Sequence, residues 1–351
     1  MAERIGIGIV GCGGIAHSHL DAWLAAADLG EVRALADPNP DALAALHSKV
    51  TTATTYADYH PLLERDDIAA VEILTPPGLH WPIARDAIEA GKDVLIIKPF
   101  TVELSHADSL IALAREKGTR LMAGQPMRFS PPLIKARALL QEGRIGQPTR
   151  FYSRGFMRQE WLRKATNWFS NLALSGGITI ENIVHQTDAM AWLGGPVTSV
   201  YGLAGTFHTA DWPGGGLPDD QISFMMQFES GVIGLVEGGT AQPTGMPASM
   251  FEIMGTEGGI TLDQGGLVVG RGVKESDGYA ERFEFRSRRG EGPMIRAFLE
   301  AISQGEAVPV PAEDGRYAVE LCWAALQSAR EGRPVKLPLD PANYPTYSTA
   351  G

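Results

Sequence analysis

Along the first third of the chain, apolar residues fall in short continuous runs, separated by longer segments with helical spacing. RIGIGIV (4–10), VRALAD (32–37), AAVEILT (69–75), DVLIIKP (93–99) and RLMAGQP (120–126) read as strands with few polar interruptions. Between them, residues 15–27, 41–49, 80–90 and 103–117 read as helices. Strands that are apolar on both sides belong to a parallel sheet with helices on each face. The repeated strand–helix units therefore predict an N-terminal α/β domain with a doubly wound sheet, over residues 1–123.

The rhythm then changes. PPLIKARALLQEGRIG (131–146) reads as a helix closed by Gly143. Longer alternating runs follow in TRFYSRGF (149–156), SVYGLAGTF (199–207), ISFMMQFESGVIGLVEGGTA (222–241), MFEIMGTEGGITLD (250–263) and GLVVGR (266–271). With ESG and TEGG as turns, they predict a large, mostly antiparallel, open-faced sheet in an α+β domain over residues 124–351. Two helices, 292–304 and 314–331, finish the chain before a proline-rich tail. A sheet covered by helices on one face leaves the other for a partner. A second copy of the chain, in a homodimer or homotetramer, is the simplest one.

Composition narrows the classes. The chain has 351 residues, 44% hydrophobic and 20% charged, which suits two ordinary globular cores. Thirty Lys and Arg against 41 Asp and Glu leave a net charge of −11, which disfavours nucleic acid and anionic membranes. No apolar run approaches the ~20 residues of a membrane span. The N-terminal MAERIGIGIVGCGG enters a strand at once and does not resemble a signal peptide. Cys12 and Cys322 form no CxxC pattern, so a reducing cytoplasm is the expected location. The eight histidines are scattered, with only His17 and His19 close, and no metal site is expected.

Doubly wound sheets bind ligands outside the carboxyl ends of their strands, so the residues at those ends are the candidates. The first strand ends in GCGGIA (11–16), of the form GxGxxA. Gly11 allows the tight turn, Gly13 and Gly14 the approach of backbone to a pyrophosphate, and Ile15–Ala16 the start of a closely packed helix whose N-terminus donates to phosphate. The second strand ends at Asp37, which suits both ribose hydroxyls of an adenosine and repels a 2′-phosphate. With no Lys or Arg between Pro38 and Ser48, NAD is favoured over NADP. The prolines of LTPPGLH (74–80) force a turn beside the cofactor, bringing Thr75, Pro76 and His80 to it. Lys98 ends the next strand, and Pro99 biases it to an extended backbone with its side chain directed outward from the edge. Gln125 and Arg128 follow the last strand, in GQPMRF.

Further along, LSGGITIENIVHQTDAMAWLGG (174–195) reads as one helix. Glu181, His185 and Asp188, four and three apart, share a face of it. Such a polar ridge on an apolar helix is costly to bury without partners. Before it, RGFMRQEWLRKATNWF (154–169) sets Arg154, Arg158, Arg163 and Lys164 among Trp161 and Trp168. This is either a solvated loop with core tryptophans, or a pocket wall that stacks on a sugar ring and pairs an arginine with a substrate anion.

Together GCGGIA, TPPGLH, the Lys98–Pro99 step and the helix carrying Glu181, His185 and Asp188 resemble the Gfo/Idh/MocA family of nicotinamide-dependent oxidoreductases. The resemblance runs over nearly the whole chain and implies an N-terminal Rossmann domain. It further implies Lys98 and His185 as the catalytic pair, acting on a secondary hydroxyl of a sugar, sugar derivative or cyclitol. Glu181 and Asp188 would hold substrate hydroxyls or the imidazole. Ile97 stands where the family usually has Glu, Glu181 where many members have Asp, and Ser175–Gly176–Gly177 in place of a triple glycine. An NAD-dependent glycosidase using the same pair and a non-catalytic NAD-binding sugar sensor remain as alternatives.

Overall fold

The computed structural model describes residues 4–157, 168–210, 217–240, 249–263, 266–272, 279–287 and 289–345. Of the candidate residues, Arg158, Trp161, Arg163 and Lys164 lie outside them. By packing, the chain divides into two compact units, Met1–Pro126 with Gly290–Arg316, and Met127–Arg289 with Tyr317–Gly351. Periodicity alone carried no sign that residues 290–316 return to the first unit.

The sheet of the first unit contains β1 (Ile5–Val10), β2 (Gly30–Ala36), β3 (Thr54–Tyr56), β4 (Ala70–Ile73), β5 (Asp93–Ile97) and β6 (Leu121–Gly124). They are all parallel, in the order β3-β2-β1-β4-β5-β6. The order reverses direction between β1 and β4, and that switch point is where such sheets take their ligands. Ile7, Ile9, Val71, Ile73, Val94, Leu95 and Ile96 are fully buried, so both faces of the sheet are covered. Helices α1 (Ala16–Ala25), α2 (Pro40–His47), α3 (His60–Leu63), α4 (His80–Glu89) and α5 (Leu104–Lys117) provide the cover. Asn39 caps α2, accepting from the N–H groups of Asp41 and Ala42, with Pro40 in the first turn. The short β3 and α3 were not predicted, because three or four residues carry no readable period.

One polar cluster sits within this apolar layer and fixes α1. Glu72 on β4 is fully buried; its Oε1 lies 2.7 Å from His19 Nδ1, and its Oε2 accepts from Trp23 Nε1 at 2.6 Å. His19 and Trp23 are four apart on α1, one turn from each other. Burial works against a charge on His19, but Glu72 and, more weakly, Glu291 outweigh it and raise its pKa. A carboxylate inside the layer thus ties α1 to the middle of the sheet.

The second unit holds, among the described residues, a nine-stranded sheet in the order β14-β13-β12-β11-β7-β10-β9-β8-β15. The strands are β7 (Pro148–Phe156), β8 (Val197–Gly205), β9 (Gln221–Phe228), β10 (Ile233–Gly239), β11 (Ser249–Gly255), β12 (Gly258–Asp263), β13 (Gly266–Arg271), β14 (Tyr279–Phe283) and β15 (Val335–Lys336). Every neighbouring pair is antiparallel except β7 with β10. On β9, Ile222, Phe224, Met226 and Phe228 are buried while Ser223, Met225 and Gln227 face outward, the alternation of a sheet covered on one side.

The expected single helix over 174–195 is broken in the structure. After α6 (Pro131–Gln141), a short α7 (Leu172–Ser175) stops at Gly176 and Gly177, whose φ values of 72° and 70° are left-handed. A π-turn follows at Thr179–Ile183, and only then α8 (Val184–Gly194). Glu181 lies within the wider π-turn and His185 just beyond it, so the two do not keep plain α-helical register. The covered face of the sheet makes room for this segment. Gly155 of β7 and Gly238 of β10 are register partners. A Cβ on Gly155 would meet the Gln186 amide at 2.6–2.7 Å, and one on Gly238 would collide with Ile183. Asn182 Nδ2 also donates to the Gly155 carbonyl, at 3.3 Å. Gly238→Ala should therefore destabilise the protein by about 1–3 kcal/mol, read as a lower urea midpoint with an unchanged slope. An unchanged midpoint would contradict the close approach.

Candidate active site

The carboxyl ends of the first unit's strands carry the candidates. After β1 the chain turns at Gly11, with φ 98°, and Gly11 N–H donates to Ala36 at 2.9 Å. An added Cβ there would meet the Leu74 carbonyl carbon at 2.7 Å, so this glycine is required by conformation and by space. Gly13 and Gly14 differ: a Cβ on either meets nothing within 4 Å, and both are exposed. Their backbone borders open space. Ala16 is fully buried and no side chain caps α1, so its first N–H groups lie beside that space, where a phosphate would satisfy them.

Asp37, just beyond β2, is organised by the same turn. Its Oδ2 accepts from Cys12 N–H at 2.7 Å and its Oδ1 from Asn39 N–H at 2.8 Å. A carboxylate has about four acceptor positions, so two bonds to backbone orient it and still leave room for ribose hydroxyls. The neighbouring Cys12 thiol is pushed up to about 12 by burial and by Asp37, which keeps it protonated and inert.

The ends of β4, β5 and β6 complete the edge. Thr75 follows β4, Lys98 follows β5 through a cis bond to Pro99, and Gln125 follows β6. Lys98 is half-buried and its N–H donates to Gly124 at 3.1 Å. Ile97 is a buried β5 residue. Thr75 Oγ1 and both amide atoms of Gln125 are buried without a hydrogen-bond partner. Buried polar groups of this kind are rare, and a polar ligand along this edge would satisfy them. The open glycine cradle, the oriented Asp37 and these atoms fit a dinucleotide.

His80 was expected beside the cofactor; the structure gives it a different task. It is fully buried, with Nδ1 2.9 Å from the Pro99 carbonyl and Nε2 2.9 Å from the Thr75 carbonyl. Burial pushes its pKa down to about 4, against the backbone carbonyls around it and with a smaller push from Lys98. A neutral ring has one N–H, so it donates to one of the two carbonyls and packs against the other, between the turn after β4 and the turn after β5 and one residue from Lys98.

In the second unit, Asp188 is buried and engaged by Arg128. Nε of Arg128 lies 3.1 and 3.0 Å from the two carboxylate oxygens, and one terminal nitrogen lies 2.6 Å from Oδ1. Both had been expected at the substrate; they meet each other. The pair anchors α8 one turn beyond His185. On the same helix, Thr187 Oγ1 lies 3.0 Å from the Ala318 carbonyl and 3.6 Å from Cys322 Sγ, in the helix Ala312–Glu331. Glu181, in the π-turn, and His185, at the start of α8, are half-buried. Trp168 stacks at a tilt on Phe169 and packs against the apolar cluster of Phe169, Ile178 and Leu217. Among the described residues, no group of three or more His, Cys, Asp or Glu could hold a metal, and no helix is long and apolar enough to cross a membrane.

The fold and this edge define a dinucleotide-binding protein of the doubly wound class. Residues 5–125 match the family described as an oxidoreductase family with an NAD-binding Rossmann fold, and residues 133–261 match the Gfo/Idh/MocA C-terminal domain. The chain belongs to the Gfo/Idh/MocA family of NAD-binding oxidoreductases. Among curated relatives, scyllo-inositol 2-dehydrogenase (NAD(+)) of Bacillus subtilis is 26% identical over 341 residues, covering 96% of this chain and 97% of the relative. Myo-inositol 2-dehydrogenase of Thermotoga maritima is 25% identical over 337 residues, covering 94% and 98%. Among solved structures, a levoglucosan dehydrogenase in complex with NADH superposes with a TM-score of 0.87 at 22% identity, covering 96% of this chain and all of that one. That likeness shows the shared fold.

The His80 geometry carries a pH signature. An unfolded histidine binds its proton near 6.5 and the folded one near 4, so between these values the unfolded chain holds the extra proton. Stability from this group is present above about pH 6.5 and is lost as pH falls toward 4, by roughly 3 kcal/mol in all. In urea titrations, the stability gap between the wild type and His80→Gln should shrink by that amount from pH 7 to pH 4. A gap that does not change with pH would contradict a neutral, buried His80.

Proposed function

We propose that the protein is an NAD-dependent dehydrogenase that oxidises a secondary hydroxyl of a sugar, sugar derivative or cyclitol, with Lys98 and His185 as its acid–base pair. The observation that carries this reading is Lys98 at the carboxyl end of β5, on the same sheet edge as the glycine cradle and Asp37. A lysine there serves chemistry at the nicotinamide end of a bound dinucleotide. Relatives named as scyllo- and myo-inositol dehydrogenases, levoglucosan dehydrogenase and D-apiose dehydrogenase support a polyhydroxylated substrate.

Gly11, Gly13, Gly14, Ile15, Ala16, Asp37, Thr75, Pro76, Lys98 and Gln125 would hold the cofactor, and bound NAD supplies the hydride acceptor. His185 takes the hydroxyl proton, since an imidazole has an ordinary pKa near the working pH. Lys98 donates to the same oxygen and stabilises the negative charge that develops as the proton leaves. Glu181 orients the imidazole or a substrate hydroxyl from the π-turn. Arg128 and Asp188 act by holding α8, on which His185 sits. Asp37 selects NAD over NADP by repelling a 2′-phosphate.

The quaternary reading uses the outer face of the second unit's sheet. Leu203, Met225, Ile233 and Met254 are 63%, 46%, 48% and 40% exposed there, around a Tyr152–Glu237–Arg154 hydrogen-bonded cluster. A second copy would bury these side chains, giving a homodimer or homotetramer. Cys12 and Cys322, both buried and unoxidised, suit a cytoplasmic enzyme.

With a panel of inositols, hexoses and anhydrosugars, the wild type should reduce NAD and not NADP, followed by absorbance of reduced nicotinamide. Lys98→Ala and His185→Ala should each lower kcat by about 10²–10⁴-fold while NAD still binds. Full activity in either variant would refute its role. Leu203→Glu with Met225→Glu should shift the sedimentation coefficient toward the monomer, and an unaltered oligomer would exclude this face as the interface.

A further inference from the structure

Gln125 is 1% exposed, and neither its Oε1 nor its Nε2 has a hydrogen-bond partner. A primary amide presents an acceptor and a donor side by side, so a group that satisfies both must present the complementary edge. The residue is placed by β6. Gly124 is the register partner of Ile97, Lys98 N–H donates to the Gly124 carbonyl at 3.1 Å, and Gln125 N–H turns back to Ala123 at 3.0 Å. Gln125 thus flanks Lys98 at the carboxyl edge of the sheet. On the other flank, Thr75 after β4 has a buried hydroxyl that is also without a partner. Asp37 after β2 marks the adenosine side and the turn after β1 the pyrophosphate. A dinucleotide lying across the switch point therefore has its nicotinamide over β4, β5 and β6.

We infer that Gln125 pairs amide to amide with the carboxamide of the nicotinamide ring. Nε2 donates to the carboxamide oxygen and Oε1 accepts from its NH2 group. This rests on the dinucleotide reading above and adds a residue that fixes the rotation of the ring, and hence the face turned to substrate. A hydroxyl or a water could fill one half of the amide edge, but each lacks the paired donor and acceptor that the other half needs.

Binding of three probes to wild type and Gln125→Leu tests this: NAD, its 3-acetylpyridine analogue, in which a methyl replaces the NH2, and ADP-ribose, which has no nicotinamide. The expected result is a loss of at least ten-fold in NAD affinity in Gln125→Leu, a smaller loss for the analogue, and no change for ADP-ribose. Unaltered ADP-ribose binding also reports an intact fold. Equal loss for NAD and ADP-ribose, or equal loss for NAD and the analogue, overturns the pairing, as does unchanged NAD affinity. If the wild type binds ADP-ribose and NAD in none of these assays, the dinucleotide reading falls and the pairing with it.

Discussion

Two backbone carbonyls, of Thr75 and Pro99, converge on the buried imidazole of His80, and the placement of Lys98 depends on that contact. Parallel strands buried on both faces leave only their ends for chemistry. The ends of β4 and β5 are joined to loops, the least restrained parts of a fold. A ring held at 2.9 Å to each loop removes that freedom at the position next to the lysine. Burial favours the neutral ring, which donates to only one of the two carbonyls, so it ties one turn by a hydrogen bond and packs against the other without adding a second positive charge beside Lys98. The same economy appears at Asp37, oriented by two backbone amides, and at Glu72, which holds α1 through His19 and Trp23. Helix α1, the turn after β2 and the turns after β4 and β5 are thus each restrained by a polar side chain.

The second unit uses a stronger electrostatic contact for a similar end. Arg128 and Asp188 form a buried, bidentate pair. Such a pair adds little net stability over apolar residues of the same volume, yet removing one partner costs about 3–5 kcal/mol because a charge is left buried. Its effect is therefore on position: α8 has one placement in which the pair is complete. The glycine pair Gly155–Gly238 gives that placement its depth, and the π-turn fits the remaining space.

The strand–helix alternation of the first unit was plain in sequence, because both-face burial leaves continuous apolar runs such as Val94 to Ile97. GCGGIA, Asp37 and Lys98 were legible for a positional reason: a glycine, a carboxylate or an ammonium at a strand end is informative where the same residue in a loop is not. The antiparallel sheet was legible from alternation, with the parallel pairing of β7 and β10 hidden because strand direction leaves no periodic mark. Three features were not readable. The π-turn at Thr179–Ile183 changes register without changing composition. Arg128 and Asp188 are 60 residues apart, and nothing local announces that they pair. His80 sits in the expected motif, yet its role depends on the distance to Pro99, which only the fold brings near. Of the Arg- and Trp-rich stretch, Arg154 and Trp168 are among the described residues; Arg154 is bonded to Glu237 and Trp168 packs against an apolar cluster.

The central claim is net oxidation of a sugar or polyol hydroxyl by NAD. The most direct measurement is stoichiometry: reduced nicotinamide formed against oxidised product, with a polyol and with a simple glycoside as substrates. One equivalent of NADH for each equivalent of ketone from the polyol is the predicted result. Cleavage of the glycoside with no net NADH, and no reaction of the polyol, would contradict it and assign the same residues to a transient oxidation.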